Sequence, residues 1–289
     1  INEVVINAKK LYKMKQTLLL LLVLFVCGIS SHAQTKIGGI YYNLDNNSGT
    51  AAVTYRYDGT WSDNGRNTAK NTQEYSDYIV IPETVEYNGR TYTVTGIAEY
   101  AFYGNENLKS ITIPKTVTKI EDYAMSWCAG LTAIIVDPDN NNYCSEDGVL
   151  FTEDMKTLVH YPENKQDVSY VIPNGVEVLG PDAFQGCNNL ASITIPEGIN
   201  NIRDYVFQDC QKLTSVTLPS TLTNIEQLAF NQCKNLKEIT FLSPTPPTIK
   251  NDSFNQVTNV TINVPQGSED EYAKLGIGGN SGSIVSKAY

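Results

Sequence analysis

A period of 23 residues constrains this chain more than any other feature. Set in rows of that length, Ile97, Ala101, Phe102, Leu108, Ile111, Ile113, Pro114 and Val117 fall above Ile202, Val206, Phe207, Leu213, Val216, Leu218, Pro219 and Leu222. A row from Leu179 repeats them with Ala183, Phe184, Cys187, Leu190, Ile193, Ile195, Pro196 and Ile199, and one from Ile225 with Ala229, Phe230, Cys233, Leu236, Ile239 and Phe241. The row from Ile120 keeps Ala124, Met125, Cys128, Leu131, Ile134 and Val136. A unit of this size cannot bury its own apolar face, so it becomes stable only by stacking on its neighbours. In Leu108–Ile113 the last residues alternate inward and outward, which predicts a short strand, and successive rows would align such strands as a parallel sheet about 4.8 Å apart. Pro114 ends the strand because it has no amide hydrogen to donate. The Ala-Phe pair predicts a short helical turn opposite the sheet. The expected fold class is therefore an α/β solenoid.

The period breaks in two places. Between Val85 and Ile97 the excess holds Tyr87-Asn88-Gly89-Arg90, and Asn-Gly suits the positive φ angles of a type I′ hairpin turn. Between Val136 and Leu179, Gly148–Phe151 and Thr157–Tyr161 flank a polar turn and predict a larger hairpin, followed by one more rung through Tyr170–Pro173. These readings divide the chain into an N-terminal β cap over 34–76, a solenoid over 77–265 with hairpin insertions at 86–95 and 137–167, and a C-terminal cap with a loose tail over 266–289.

The row pattern I-x-x-x-A-F-x-x-C-x-x-L-x-x-I-x-I-P-x-x-V-x-x-I closely resembles the BspA-like leucine-rich repeats of bacterial surface proteins, over roughly residues 37–275. The Ala-Phe pairs, Cys128, Cys187, Cys210 and Cys233, the I-x-I-P strand ends and the two interruptions carry the resemblance. Asn105 in place of Cys and Met125 in place of Phe depart from it. The resemblance implies attachment to host matrix proteins or to other cells.

Residues 1–33 read differently. Met14-Lys15, the apolar run Leu18–Val26 and then Ser31-His32-Ala33 have the form of a secretory signal peptide over 14–33, cut before Gln34, with 1–13 as upstream translated sequence. A lipoprotein anchored through Cys27 is the alternative, although Val26 is bulky for such a cleavage site. Without residues 1–33 the chain keeps 17 basic and 30 acidic residues. That acidic balance argues against nucleic acid or anionic lipid as a partner, since each needs a basic patch. No transmembrane segment is expected in the mature chain, and its place is secreted, on the outer cell surface or in the periplasm.

Catalytic chemistry finds little support. After cleavage only His160 remains of the two histidines, so neither a two-histidine metal site nor a second imidazole base can be built. Asp137-Pro-Asp139-Asn-Asn141 opens like a calcium loop, but Asn142 and Gly148 stand where an EF-hand needs Gly and Glu. Asp204, Asp209 and Glu226 are expected on the solvent side of turns, and no phosphate-binding glycine loop occurs. No enzyme, cofactor or metal is expected. The repeated cysteines are expected as buried free thiols, because residues at one repeat position point the same way from successive rungs.

What remains is a surface. Lys109, Ser110, Thr112, Thr132, Ala133, Ser192, Thr194, Thr214, Ser215, Thr217, Lys237, Glu238 and Thr240 are predicted to line the open sheet face as a ligand-binding ladder, although β-propensity alone also favours Thr at exposed strand positions. Tyrosine is abundant, 18 against 8 phenylalanines, and exposed tyrosine suits recognition. The expected function is an exported or cell-surface protein that binds an extracellular protein ligand in adhesion, with glycan capture by an envelope accessory protein as the alternative. The oligomeric state is left open.

Overall fold

A computed structural model describes residues 34–56, 74–275, 277 and 283–287. The expected upstream segment and signal peptide lie outside these residues, as do 57–73 of the cap and most of the tail.

The repeat builds a stack of rungs with parallel strands on two sides. On one side, Ser169–Val171, Ser192–Thr194, Ser215–Leu218, Glu238–Phe241, Thr261–Pro265 and Ser283–Lys287 run parallel in that order. On another, the short strands Asn201–Ile202, Asn224–Ile225 and Thr248–Ile249 form a second ladder. The sheet register puts Ile193, Val216, Ile239 and Ile262 in one row, all buried. Nearer the N-terminus Asp77–Val80, Leu108–Ile113 and Ala133–Val136 make a separate three-stranded parallel sheet.

The turn opposite the sheet is not helical, and here the structure corrects the α/β expectation to a β-solenoid. Among the described residues the only helical segments are Glu269–Tyr272 and the 3-10 turn Ala273–Leu275. Each Ala-Phe turn instead carries two residues with positive φ, four apart: Tyr100 and Gly104, Tyr123 and Trp127, Asp182 and Gly186, Tyr205 and Asp209, Leu228 and Gln232. A right-handed helix cannot pass through such residues. The amides turn outward along the stack instead. Phe184 donates to Val206 at 2.9 Å, Phe207 to Ala229 at 2.8 Å, Gly186 to Gln208 at 2.8 Å and Asp209 to Asn231 at 2.8 Å. The neighbouring rung thus takes the place of the i−4 carbonyl of a helix, and the buried backbone stays paired.

Inside, the phenyl rings of Phe184, Phe207, Phe230 and Phe254 stack with centroids 5.2, 5.0 and 5.0 Å apart. Tyr161 extends the column at 5.1 Å from Phe184. One rung on, each repeated thiol donates to the carbonyl of the ring residue before it: Cys128 to Phe102 at 2.9 Å, Cys210 to Phe184 and Cys233 to Phe207 at 3.0 Å. Asn105, the departure from Cys, has its own role. Its carboxamide oxygen accepts the Tyr75 amide at 3.0 Å, while Tyr75 hydroxyl donates to Thr54 at 2.8 Å, so the cap is tied to the first rung.

The cap pairs Thr35–Ile37, Ile40–Asp45 and Thr50–Thr54 antiparallel, and the last of these joins Arg90–Ile97 in parallel. Thr84–Tyr87 and Arg90–Ile97 form a hairpin whose Asn88 and Gly89 have φ of 51° and 75°, the mirror-image turn that matches strand twist.

The second interruption is a three-stranded antiparallel unit, Tyr143–Glu146, Val149–Thr152 and Thr157–His160, whose last strand pairs in parallel with Val178–Leu179. It lies where the apolar interior divides in two. Val149 and Phe151 belong to the cluster that runs on to Ile277, while Leu150 between them belongs to the cluster that begins at Ile40. Alternation along one strand therefore serves two cores.

Candidate functional site

The register of the long sheet fixes which predicted face residues meet. Ser169, Ser192, Ser215, Glu238 and Thr261 form one row, and Val171, Thr194, Thr217, Thr240 and Asn263 a second beside it. Among the described residues the hydroxyls of Ser192, Thr194, Ser215 and Thr217 have no hydrogen-bond partner. The C-terminal end of the rows is already engaged, since Asn263 Nδ2 donates to Glu238 Oε1 at 2.6 Å and to Thr240 Oγ1 at 3.1 Å. Thr214 and Lys237 stand at the strand entrances. Thr214 Oγ1 donates to the Ala191 carbonyl at 2.9 Å, a bond that stitches rungs together.

Lys109, Ser110, Thr112 and Thr132 lie instead on the shorter sheet, whose face has a different character. Its outward rows are Tyr78, Ser110 and Ala133, then Val80, Thr112 and Ile135. Tyr78 and Val80 are 74% and 66% exposed, whereas Ser110 is buried. Thr132 Oγ1 donates to the Lys109 carbonyl at 2.9 Å, as Thr214 does one sheet further on. The predicted ladder is thus two faces, one hydroxylated and one largely apolar.

His160 is buried at the joint between the insertion and the solenoid, and its Nε2 finds no hydrogen-bond partner among the described residues. Burial pushes its pKa down to about 4. It lines a cleft of about 170 Å³ together with Tyr123, Tyr143, Thr157, Asp182 and Arg203. Burial pushes the Asp182 carboxyl up to about 8, against the opposing pull of its hydrogen bond from Ser126 Oγ. Glu163 is buried close by, burial likewise holds its carboxyl well above the usual range with Asp182 adding repulsion, and its Oε1 finds no hydrogen-bond partner among the described residues. At the rim Arg203 faces Asp122 at 3.9 Å.

Sequence reading missed this cleft. Its one sequence signal is Asp182, an acid at the repeat position that Tyr100, Tyr123 and Tyr205 hold in other rows. The repeated thiols are free, and burial raises Cys128, Cys187 and Cys210 well above the usual thiol range. Asp204 accepts the Gln227 amide at 3.0 Å, and Asp209 the Gln211 side chain at 3.0 Å, both as parts of turns. Among the described residues no group of three or more His, Cys, Asp or Glu could hold a metal ion, and no helix is long and apolar enough to cross a membrane.

Comparison with known proteins follows the rungs. No curated protein matches the chain. Among solved structures, a leucine-rich repeat protein from Eubacterium ventriosum is 29% identical with a TM-score of 0.54, covering 65% of this chain and 48% of its own. The present chain therefore spans about half the length of that relative. A leucine-rich repeat protein of T. pallidum is 23% identical over 86% of this chain and 99% of its own, with a TM-score of 0.48. A leucine-rich cell surface protein from Faecalibacterium prausnitzii is 17% identical over 84% of this chain and 97% of its own, with a TM-score of 0.44. The family model for the BspA type leucine rich repeat region matches in 6 copies, over residues 78–155 and 161–271. With more than half its length matched, the chain belongs to the BspA type leucine rich repeat family.

Proposed function

We propose that this protein is an exported, non-catalytic binding protein of the bacterial surface, and that the hydroxylated face of its long sheet receives a protein ligand in adhesion. The observation that carries this reading is the pair of adjacent rows through Ser192, Ser215 and Thr194, Thr217, where small side chains repeat with strand spacing and leave their hydroxyls unengaged. Such a surface is flat and accessible, and a partner can gain hydrogen bonds from it at little cost in side-chain order. The acidic balance of the chain favours a partner with basic patches over nucleic acid.

Two measurements test the reading. Immobilised matrix proteins are screened with wild type and with Thr194→Glu plus Thr217→Lys. Binding by wild type and its loss in the double variant, with an unchanged melting point, supports the face, and binding that survives the variant overturns it. Mass spectrometry of the exported protein should find Gln34 at the N-terminus, whereas a lipid on Cys27 would replace secretion with anchoring.

A further inference from the structure

The cleft at the joint is a consequence of the insertion. Strand Thr157–His160 pairs with Val178–Leu179 in parallel, yet strand Lys119–Ile120 pairs only with Arg90–Ile97 among the described strands. The Ile120 amide is caught by Tyr143 hydroxyl at 2.9 Å instead of by a neighbouring strand. Part of one rung's backbone is therefore missing between the two, and a space of about 170 Å³ takes its place. Drug-sized pockets begin near about 300 Å³. One small ring fits, and a folded peptide segment does not.

We propose that this cleft is a second binding site, built to hold a single neutral sugar residue at the end of a glycan between Tyr123, Tyr143, His160 and Asp182. Three observations converge on that chemistry. First, His160 lines the cleft, and its Nε2 is buried without a partner among the described residues. Second, burial holds the two titratable groups deepest in the lining towards their neutral forms, His160 deprotonated and Asp182 protonated, so each offers both a donor and an acceptor, while Glu121 of the lining is paired with Lys119. Arg203 and Asp122 offset one another at the rim. A phosphate or carboxylate ligand would meet no free cation there, whereas hydroxyl groups can pair with every group present.

Third, tyrosine rings lead up to the mouth. Tyr123 stacks on Tyr100 with centroids 5.8 Å apart and planes 15° apart, and meets the Tyr205 edge at 6.4 Å across the small Asp182 position. Tyr103 adds an edge contact to Tyr100 at 5.6 Å. All four are half-buried. Because Tyr100 and Tyr123 turn their faces to one another, the strip offers a pyranose ring edges and phenol hydroxyls that can bond its rim. The strip then carries the preceding sugar units while the terminal one enters the cleft.

This site shares no residue with the sheet face, so it stands or falls separately from the proposed protein ligand. The test is ligand-observed NMR on the exported protein with glucose, galactose, N-acetylglucosamine and fucose, with sialic acid and glucose 6-phosphate as anionic comparisons. Saturable binding of at least one neutral sugar is expected. Tyr123→Ala should weaken it at least tenfold, Tyr123→Phe should retain most of it, and Thr194→Glu on the sheet face should leave it unchanged. If no neutral sugar binds, if the anionic sugars bind more tightly, or if Tyr123→Ala binds as well as wild type, the proposal fails. Thr157→Phe, which fills the cleft from the strand rather than stripping its platform, must also abolish binding for the proposal to stand.

Discussion

The rungs between Leu179 and Phe241 and the joint between Ile120 and Asp182 solve one problem in opposite ways. In the regular rungs alternate backbone amides of the Ala-Phe turn meet the next rung's carbonyls, and each ring meets the next ring, because identical environments follow one another. At the joint that neighbour is absent, and side chains substitute for it. Tyr143 hydroxyl takes the Ile120 amide, and Ser126 binds Asp182. Repetition keeps the interior apolar, and interrupting it draws titratable groups inside. The same substitution that heals the backbone leaves a cleft with an unpartnered imidazole.

The sharpest way to separate the regions is to remove a ring from the column. Phe207→Ala is expected to lose about 3 to 5 kcal/mol in denaturant melts, through transfer energy and the cavity left between Phe184 and Phe230. Thr217→Ala on the open face should stay within about 0.5 kcal/mol. Comparable losses in the two variants would mean that the rungs do not share one core.

At the joint the expected loss is smaller and polar in origin. Tyr143→Phe leaves the part-buried Ile120 amide without its acceptor, so a decrease of about 1 kcal/mol is expected. Hydrogen exchange should quicken at Ile120 while Phe184 and Phe207 remain protected. Uniform acceleration along the stack would show instead that no local patch exists.

A third contrast is in pH. Asp182 has its pKa raised on folding to about 8, so the stability it contributes is present at low pH and lost as pH rises through 8. Glu163 acts in the same direction. His160 is depressed to about 4, so its contribution is lost as pH falls from about 6.5 towards 4. Between these the terms oppose, and above pH 6.5 only the acids remain. Ser126, Asp122, Arg203, Glu163, Tyr123 and His160 are the other polar groups around Asp182. The melting point should therefore fall between pH 6.5 and 8.5 in wild type, and fall less in Asp182→Asn. Parallel curves for the two proteins would remove Asp182 from the account.

A small effect is also expected in the turns of the regular rungs. Gln232 has φ of 64° where two other rows have glycine at Gly104 and Gly186. Gln232→Gly relieves a left-handed backbone of about 1 kcal/mol but adds chain entropy to the unfolded state, so a net change within about 1 kcal/mol is expected in thermal melts. A loss beyond that would mean that the Gln232 side chain holds its turn.

Much of this fold was legible from residues that repeat an environment. Phe184, Phe207 and Phe230 recur 23 apart and stack; Ile193, Val216 and Ile239 alternate and line one row inside the sheet. The turn was not legible, because Tyr123, Trp127, Tyr205 and Leu228 are residues that give no sign of positive φ, and only Gly104 and Gly186 hinted at it. The neighbour's carbonyl, a contact between rungs, decides their conformation. The predicted face was readable from strand alternation, but not its division, since which strands share a sheet depends on how the insertion folds back. The cleft was hidden for the same reason: Tyr161 takes a place in the ring column, and so puts His160 beside Asp182, only once Tyr161 donates its amide to the Ala183 carbonyl.

The strand Val149–Thr152, with Leu150 in one core and Val149 and Phe151 in the other, gives the molecule a particular response to load. A tether pulled from both ends of a stack loads every rung in series. Here the strands of the insertion form a common wall, with Tyr143, Leu150 and Val159 against one cluster and Cys144, Val149, Phe151 and Leu158 against the other, so the stacks cannot part without drawing an apolar side chain out of one of them. The interrupted place in the sequence is thus also the seam where tension along the chain is borne by burial and not by backbone pairing alone.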